Sequence, residues 1–185
     1  MIHSLGEIPR EIARGYFIYL LDYGWSEPLS EAMAKNYDHL AGLASRRNAV
    51  LIKGTVGSHF SDEVLSWHGV NGEPGEEILP AIMVTTRNPH EFRAPFGHQA
   101  LEHEMLLIPL KRVCNSTADV VSLVSMLMSD IGEAKPLMEF EIVKHLRPGV
   151  GNAVADALVV SPSIGPVGLD LKGLLRKLRT RKSGA

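Results

Sequence analysis

The chain has 185 residues, of which 45% are hydrophobic and 22% charged, and its formal net charge is −2. These values are ordinary for a globular protein, and the length fits one domain with extensions. The single cysteine, Cys114, excludes an intramolecular disulfide. Residues 1–14 do not follow the order of a signal peptide, and no apolar run reaches the length of a bilayer span. We therefore expect a cytoplasmic protein without a transmembrane segment.

Charge is unevenly distributed along the chain. Residues 170–185 contain six basic side chains and one acidic side chain, a local charge of +5, so the other 169 residues together carry −7. An acidic body with a basic tail indicates that the tail has an anionic partner or surface to contact.

The first half of the chain predicts a strand, a long helix and a second strand. Residues 16–21 form a continuous apolar and aromatic run, which is typical of a strand buried on both faces. Apolar residues from Leu29 to Ala44 recur at three- to four-residue spacing and predict one helix of about five turns. Residues 49–53 predict the second buried strand, and residues 61–67 a short helix after it.

Two further strands and a helix are predicted next. Residues 78–86 and 105–110 are apolar runs of strand length. Pro109 has no N–H to donate to a neighbouring strand, so the second of these runs is expected at a sheet edge. A helix over residues 118–131 follows, with Thr117 as its N-cap.

Residues 136–185 are interpreted as an extension packed on a domain formed by residues 1–135. The alternating pattern of residues 140–144 predicts a half-buried strand, paired with a strand at residues 157–160. A basic amphipathic helix is predicted over residues 169–179.

The predicted order of elements over residues 15–132 resembles the thioredoxin fold. Trp25 and Pro28, between the first strand and its helix, match the tryptophan and proline of the Trp-Cys-Gly-Pro-Cys motif of thioredoxins. Leu79-Pro80, before the third strand, matches the cis-proline that faces the active-site turn in that family. The resemblance implies an α/β protein, a thioredoxin-like three-layer sandwich with a C-terminal β/α extension.

Both cysteine positions of the thioredoxin motif are changed in this chain, to Ser26 and Leu29. A dithiol–disulfide cycle needs two sulfur atoms that can bond and exchange, so the resemblance implies a redox-inactive member. We expect a non-catalytic binding or assembly module that uses no cofactor. An exposed tryptophan beside a rigid proline is a typical protein-binding anchor. The expected binding face consists of Trp25, Ser26, Pro28 and Pro80.

An enzyme is the alternative from another functional class. Ser26, at a helix start near Pro80, would line a site for a small thiol such as glutathione, although serine at this position is also an ordinary N-cap. The stretch from His98 to Glu104 is rich in histidine and glutamate and would hold a divalent metal if it were helical. Its spacing departs by one residue from the His-x-x-Glu-His signature, which favours a solvated loop.

The predicted C-terminal helix carries an apolar stripe and a basic surface. The stripe consists of Leu171, Leu174, Leu175 and Leu178, and the basic side chains around it are Lys172, Arg176, Lys177 and Arg179. Such a helix packs on its own domain, docks on an acidic protein partner, or contacts nucleic acid or an anionic membrane surface. A homo-oligomer is a further expected form of association. A nucleic-acid accessory protein is therefore the second alternative function.

Overall fold

The computed structural model describes residues 1–24, 28–55, 59–68, 70, 78–92 and 105–146. The strands are β1 (Tyr16–Leu21), β2 (Ala49–Lys53), β3 (Ala81–Thr85) and β4 (Met105–Pro109). The helices are α1 (Pro28–Lys35), α2 (Tyr37–Arg46), α3 (Phe60–Trp67), α4 (Pro89–Phe92), α5 (Leu110–Val113), α6 (Thr117–Gly132) and α7 (Glu141–Leu146). Short 3-10 helices lie at Leu5–Glu7 and Leu137–Glu139.

Within these ranges the strands form one mixed sheet in the order β2-β1-β3-β4. β1 is parallel to β2, whereas β3 is antiparallel to both β1 and β4. Ile18 of β1 is in register with Leu51 of β2 and Val84 of β3. β4, which contains Pro109, lies at an edge of this sheet as predicted. The predicted α/β class is confirmed.

Both faces of the sheet are buried, each by its own hydrophobic core. Because successive side chains of a strand point to opposite faces, Ile18 and Leu20 join the core formed with α1, α2, α6 and α7. Phe17 and Tyr19 join the second core, which contains residues of α3 and of the first 3-10 helix. This burial on two sides explains why β1 is apolar along its whole length.

The long helix predicted after β1 is divided into α1 and α2 at Asn36. The Asn36 side-chain amide donates a hydrogen bond of 2.7 Å to the carbonyl of Ala32. Asparagine side chains compete with the helical backbone in this way, so the hydrophobic spacing continues while the helix itself is interrupted.

The N-cap of α6 is Ser116, and the prediction of Thr117 was wrong by one residue. The Ser116 hydroxyl accepts a hydrogen bond of 3.2 Å from the Asp119 N–H. The Asp119 carboxylate in turn accepts a 2.9 Å bond from the Ser116 N–H, which completes a capping box.

The prediction of a strand over residues 140–144 was wrong, because this segment begins helix α7. Phe140, Ile142 and Val143 are buried in the core that contains α6. The Asp130 carboxylate accepts a 2.8 Å hydrogen bond from the Glu141 N–H and so holds the start of α7. An alternating pattern over five residues is too short to distinguish a strand from a helix. The proposed partner strand at residues 157–160 lies outside the described residues.

None of the helices in the described ranges has the length and apolarity needed to cross a bilayer.

Candidate functional site

The strand register brings Pro80 to the end of the sheet where β1 leads toward α1. Leu21, the last residue of β1, pairs with Ala81, the first residue of β3. The Leu79–Pro80 peptide bond is cis, as predicted. The Pro80 side chain is buried, and its carbonyl accepts a 2.8 Å hydrogen bond from the Leu110 N–H. Pro80 therefore shapes the backbone at this sheet end.

The residues after β1 are fastened to the first turn of α3. The Asp22 N–H donates to the Ser61 hydroxyl oxygen at 3.0 Å, and the same hydroxyl donates to the Asp22 carbonyl at 2.9 Å. The Tyr23 hydroxyl donates to the Asp62 carboxylate at 2.9 Å. Tyr23 is 54% exposed. The sheet end thus presents a tyrosine whose ring is fixed in place although it faces solvent.

Two of the four predicted binding residues are described by the structure. Pro28 is the first residue of α1 and is exposed, whereas Pro80 is buried. Trp25 and Ser26 lie outside the described residues. The predicted partner-binding side chains also lie outside them, namely Lys172, Arg176, Lys177 and Arg179.

Cys114 is buried after α5, one helical turn beyond the end of β4. Burial raises the pKa of its thiol to about 11, and the nearby Asp119 carboxylate adds to the effect. The reactive form of cysteine is the thiolate. At neutral pH Cys114 is therefore a protonated core residue.

Glu63, in the first turn of α3, binds the N-terminal segment. Its carboxylate accepts a 2.8 Å hydrogen bond from the Ser4 hydroxyl and a 2.9 Å bond from the Leu5 N–H. These contacts give Glu63 a structural role, because they fasten the first 3-10 helix to α3.

Tyr19 and His68 form a buried polar pair that the sequence patterns did not reveal. Their ring centroids are 5.3 Å apart in an edge-to-face arrangement, and His68 also packs on Phe92 at 4.3 Å. The His68 Nδ1 atom lies 2.8 Å from the Val64 carbonyl, so Nδ1 carries the proton and Nε2 is an acceptor. Neither His68 Nε2 nor the Tyr19 hydroxyl has a hydrogen-bond partner among the described residues.

Burial changes the acid–base properties of both groups. It lowers the pKa of His68 to about 4, and it raises the pKa of Tyr19 above its ordinary value. Both side chains are therefore neutral at physiological pH. In the sequence, Tyr19 is noticeable only as a polar residue within the apolar run of β1, and His68 only as a polar residue after α3.

A broad cleft of about 540 Å³ lies at the opposite end of the sheet, between the C-terminal ends of α2 and α6. Arg47, which lines it, donates a hydrogen bond to the Met128 carbonyl near the end of α6. Arginine side chains commonly bind carbonyls near the C-terminal end of a helix, so Arg47 has a structural role here. Asn48 and Ala134, also in the cleft, have positive φ angles of 55° and 53°.

No group of three His, Cys, Asp or Glu side chains is placed to hold a metal ion within the described ranges. The histidine- and glutamate-rich stretch at residues 98–104 lies outside those ranges.

Comparison of the chain with protein-family models, with curated proteins and with solved structures gives no significant match.

Proposed function

We propose that this chain is a thioredoxin-like protein-binding module without dithiol chemistry. The observation that carries the proposal is the strand register, which places Pro80 before an antiparallel β3 and beside the end of β1. The strand order β2-β1-β3-β4, with only β3 reversed, supports the thioredoxin-like outline.

The cysteine chemistry of this chain supports a function in binding. Ser26 and Leu29 cannot form the disulfide of a redox cycle. Cys114 is buried and protonated at neutral pH, so it does not replace the missing thiolates.

The binding face that we propose is the sheet end with Pro28 and Pro80. By sequence we assign Trp25 and Ser26, which lie shortly before α1 in the chain, to the same face. Pro28 is exposed at the start of α1. Tyr23, five residues earlier, is also exposed, and its hydroxyl donates to the Asp62 carboxylate. Pro80 contributes by fixing the backbone beneath this face. Fixed aromatic and proline side chains lose little conformational entropy on binding, which suits them to anchor a protein partner.

Site-specific photo-crosslinking in cells tests this proposal. A photoreactive phenylalanine analogue at position 28 should give a discrete crosslinked partner, and the same analogue at position 136 should not. Pro136 is the matched control because it is an exposed proline at the opposite end of the sheet, next to Lys135, whose carbonyl binds Tyr16.

The identified partner then allows a binding measurement with purified full-length chains. Trp25→Ala and Pro28→Ala should each weaken binding at least tenfold, because anchor residues contribute about 1.4 kcal/mol or more. Pro136→Ala should bind as the parent does. Unchanged affinity of both face variants, or turnover in a disulfide-reduction assay, would refute the proposal.

The same protein preparation distinguishes the alternative functions. A rise in melting temperature with glutathione would support a small-thiol site, and a rise with a divalent ion would support a metal site. Binding to nucleic acid that weakens steeply with salt and disappears on deletion of residues 169–185 would support the accessory role.

A further inference from the structure

None of the fully exposed residues of α6 is charged, because its two acidic residues, Asp119 and Asp130, are half-buried and buried. Its exposed residues are Thr117, Ala118, Val121, Ser122, Ser125, Ser129 and Gly132. A helix surface that faces water usually carries charged residues, and Val121 here is 52% exposed. We call the residues Val121, Ser122 and Ser125 the neutral face of α6.

An apolar groove runs along each side of the neutral face. The first, of about 190 Å³, separates α6 from α1 and α2, and Met33, Leu43 and Val124 are among its lining residues. The second, of about 230 Å³, separates α6 from α5 and α7, and Leu123, Met126 and Ile142 are among its lining residues. The neutral face with its two grooves therefore offers apolar contact area across the width of a helix.

We infer that residues 169–179 of the same chain dock on the neutral face of α6 as an amphipathic helix. The leucines at positions 171, 174, 175 and 178 follow the i, i+3, i+4, i+7 spacing of one helical face. Docking removes these leucines from water together with Val121 and the groove walls. The basic side chains of the segment remain on the solvent side. This inference does not depend on the proposed function.

The path of the chain favours its own tail as the occupant. Helix α7 packs against α6, and its residue Ile142 lines the second groove, so the described chain ends beside the docking surface. Residues 147–168 separate α7 from the docking segment, and 22 residues span up to about 70 Å. Helix α6, with 16 residues, is about 24 Å long. The connection can therefore reach any part of α6, and the tail has a high effective concentration there.

Charge also favours this occupant. Asp119 is the one Asp, Glu, Lys or Arg residue among the described residues that line the two grooves. Hydrogen bonds from Asn115 and Ser116 lower the pKa of Asp119, so its carboxylate is ionised at neutral pH. Residues 170–185 carry +5. The tail therefore brings charge opposite to that of Asp119 at the second groove.

Disulfide trapping in the full-length chain tests this inference. In a Cys114→Ala background, the pair Val121→Cys and Leu174→Cys should form an intramolecular disulfide under mild oxidation. The control pair is Ser66→Cys with Leu174→Cys, because Ser66 is exposed on α3, which packs on the other face of the sheet. The first pair should close at least ten times faster than the control pair, as read from mobility on non-reducing gels.

A second change checks that the leucine stripe drives the docking. The substitutions Leu171→Asp and Leu178→Asp are added to the chain that carries Val121→Cys and Leu174→Cys. They should slow formation of the 121/174 disulfide to the rate of the control pair. Equal rates for the 121/174 and 66/174 pairs would overturn the inference, because an undocked tail visits both positions. A disulfide between two chains would also overturn it and would assign the neutral face to a second copy.

Discussion

His68 shows how burial determines the chemistry of a single residue. Its imidazole is enclosed by Tyr19 and Phe92, and Nδ1 is occupied by the Val64 carbonyl. A positive charge at this position would be almost completely removed from water, which is why the pKa of His68 falls to about 4.

We expect the stability of the protein to fall as the pH is lowered from about 6.5 to about 4. In this window the histidine of the unfolded chain is protonated while native His68 is not, so the unfolded state binds more protons. The shift corresponds to a loss of about 3 kcal/mol in the free energy of unfolding across the window. Urea unfolding at a series of pH values measures it.

His68→Phe should remove this part of the pH dependence, since phenylalanine does not titrate. His39→Gln is the control, because His39 is exposed on α2. If the pH profiles of the parent and His68→Phe are parallel between pH 6.5 and 4, the native imidazole is not excluded from protonation.

Ala134 occupies a backbone conformation that suits glycine. Its φ angle is 53°, just after the end of α6, where left-handed residues commonly terminate helices. An L-residue with a Cβ atom is disfavoured there by about 1–2 kcal/mol, and glycine has a larger entropy loss on folding of about 0.5–1 kcal/mol. Ala134→Gly should therefore raise the free energy of unfolding by about 0.5–1 kcal/mol.

Asn48 provides the comparison for this substitution, because its φ angle is 55° and asparagine tolerates the left-handed region. Asn48→Gly should change stability less than Ala134→Gly in the same thermal or denaturant unfolding experiment. If Ala134→Gly lowers the free energy of unfolding, the backbone conformation of Ala134 does not destabilise the native protein.

At the scale of elements, Asp130 joins the end of α6 to the start of α7. The carboxylate is 1% exposed and accepts hydrogen bonds from the Lys135 ammonium at 2.7 Å and the Glu141 N–H at 2.8 Å. The same contacts place Phe140 and Val143 in the core. One buried acidic side chain therefore orients a six-residue helix that would not be stable alone.

Asp130→Ala should lower the free energy of unfolding by about 2–3 kcal/mol, because hydrogen bonds to a charged group are lost and the Glu141 N–H loses its partner. Amide hydrogen exchange of α7 should accelerate more than that of β1. Glu139→Ala, an exposed carboxylate in the same segment, is the control and should have little effect. If Asp130→Ala and Glu139→Ala lower the free energy of unfolding equally, Asp130 does not anchor α7.

At the scale of the whole molecule, one sheet separates two hydrophobic cores that have different structural roles. The core on the α3 side contains the Tyr19–His68 pair and fastens the N-terminal segment through Glu63. The core on the other side supports α6, whose outer surface is neutral and grooved. The sheet end that carries Pro80 and the neutral face of α6 are therefore distinct surfaces, which allows the two proposals to succeed or fail separately.

Local chemistry was sufficient to predict much of the fold. The run at residues 16–21 coincides with β1, because a strand buried on both faces is apolar throughout. The run at residues 49–53 coincides with β2, in which Val50 and Lys53 are half-buried. Pro109 indicated an edge strand because it lacks an N–H. The cis peptide at Pro80, in contrast, was expected only from the resemblance to the thioredoxin fold.

Other features depended on which groups meet in space. The carboxylate of Asp130, placed by α6, holds the N-terminus of α7, so the segment after Phe140 is helical although its pattern also fits a strand. His68 and Tyr19 are distant in sequence, and only the packing of α3 on β1 brings their rings together and excludes water. The sequence by itself determined which segments are buried, because hydrophobicity is a property of each side chain. Tertiary structure alone decided which polar atoms share a buried environment, because that depends on contacts between distant parts of the chain.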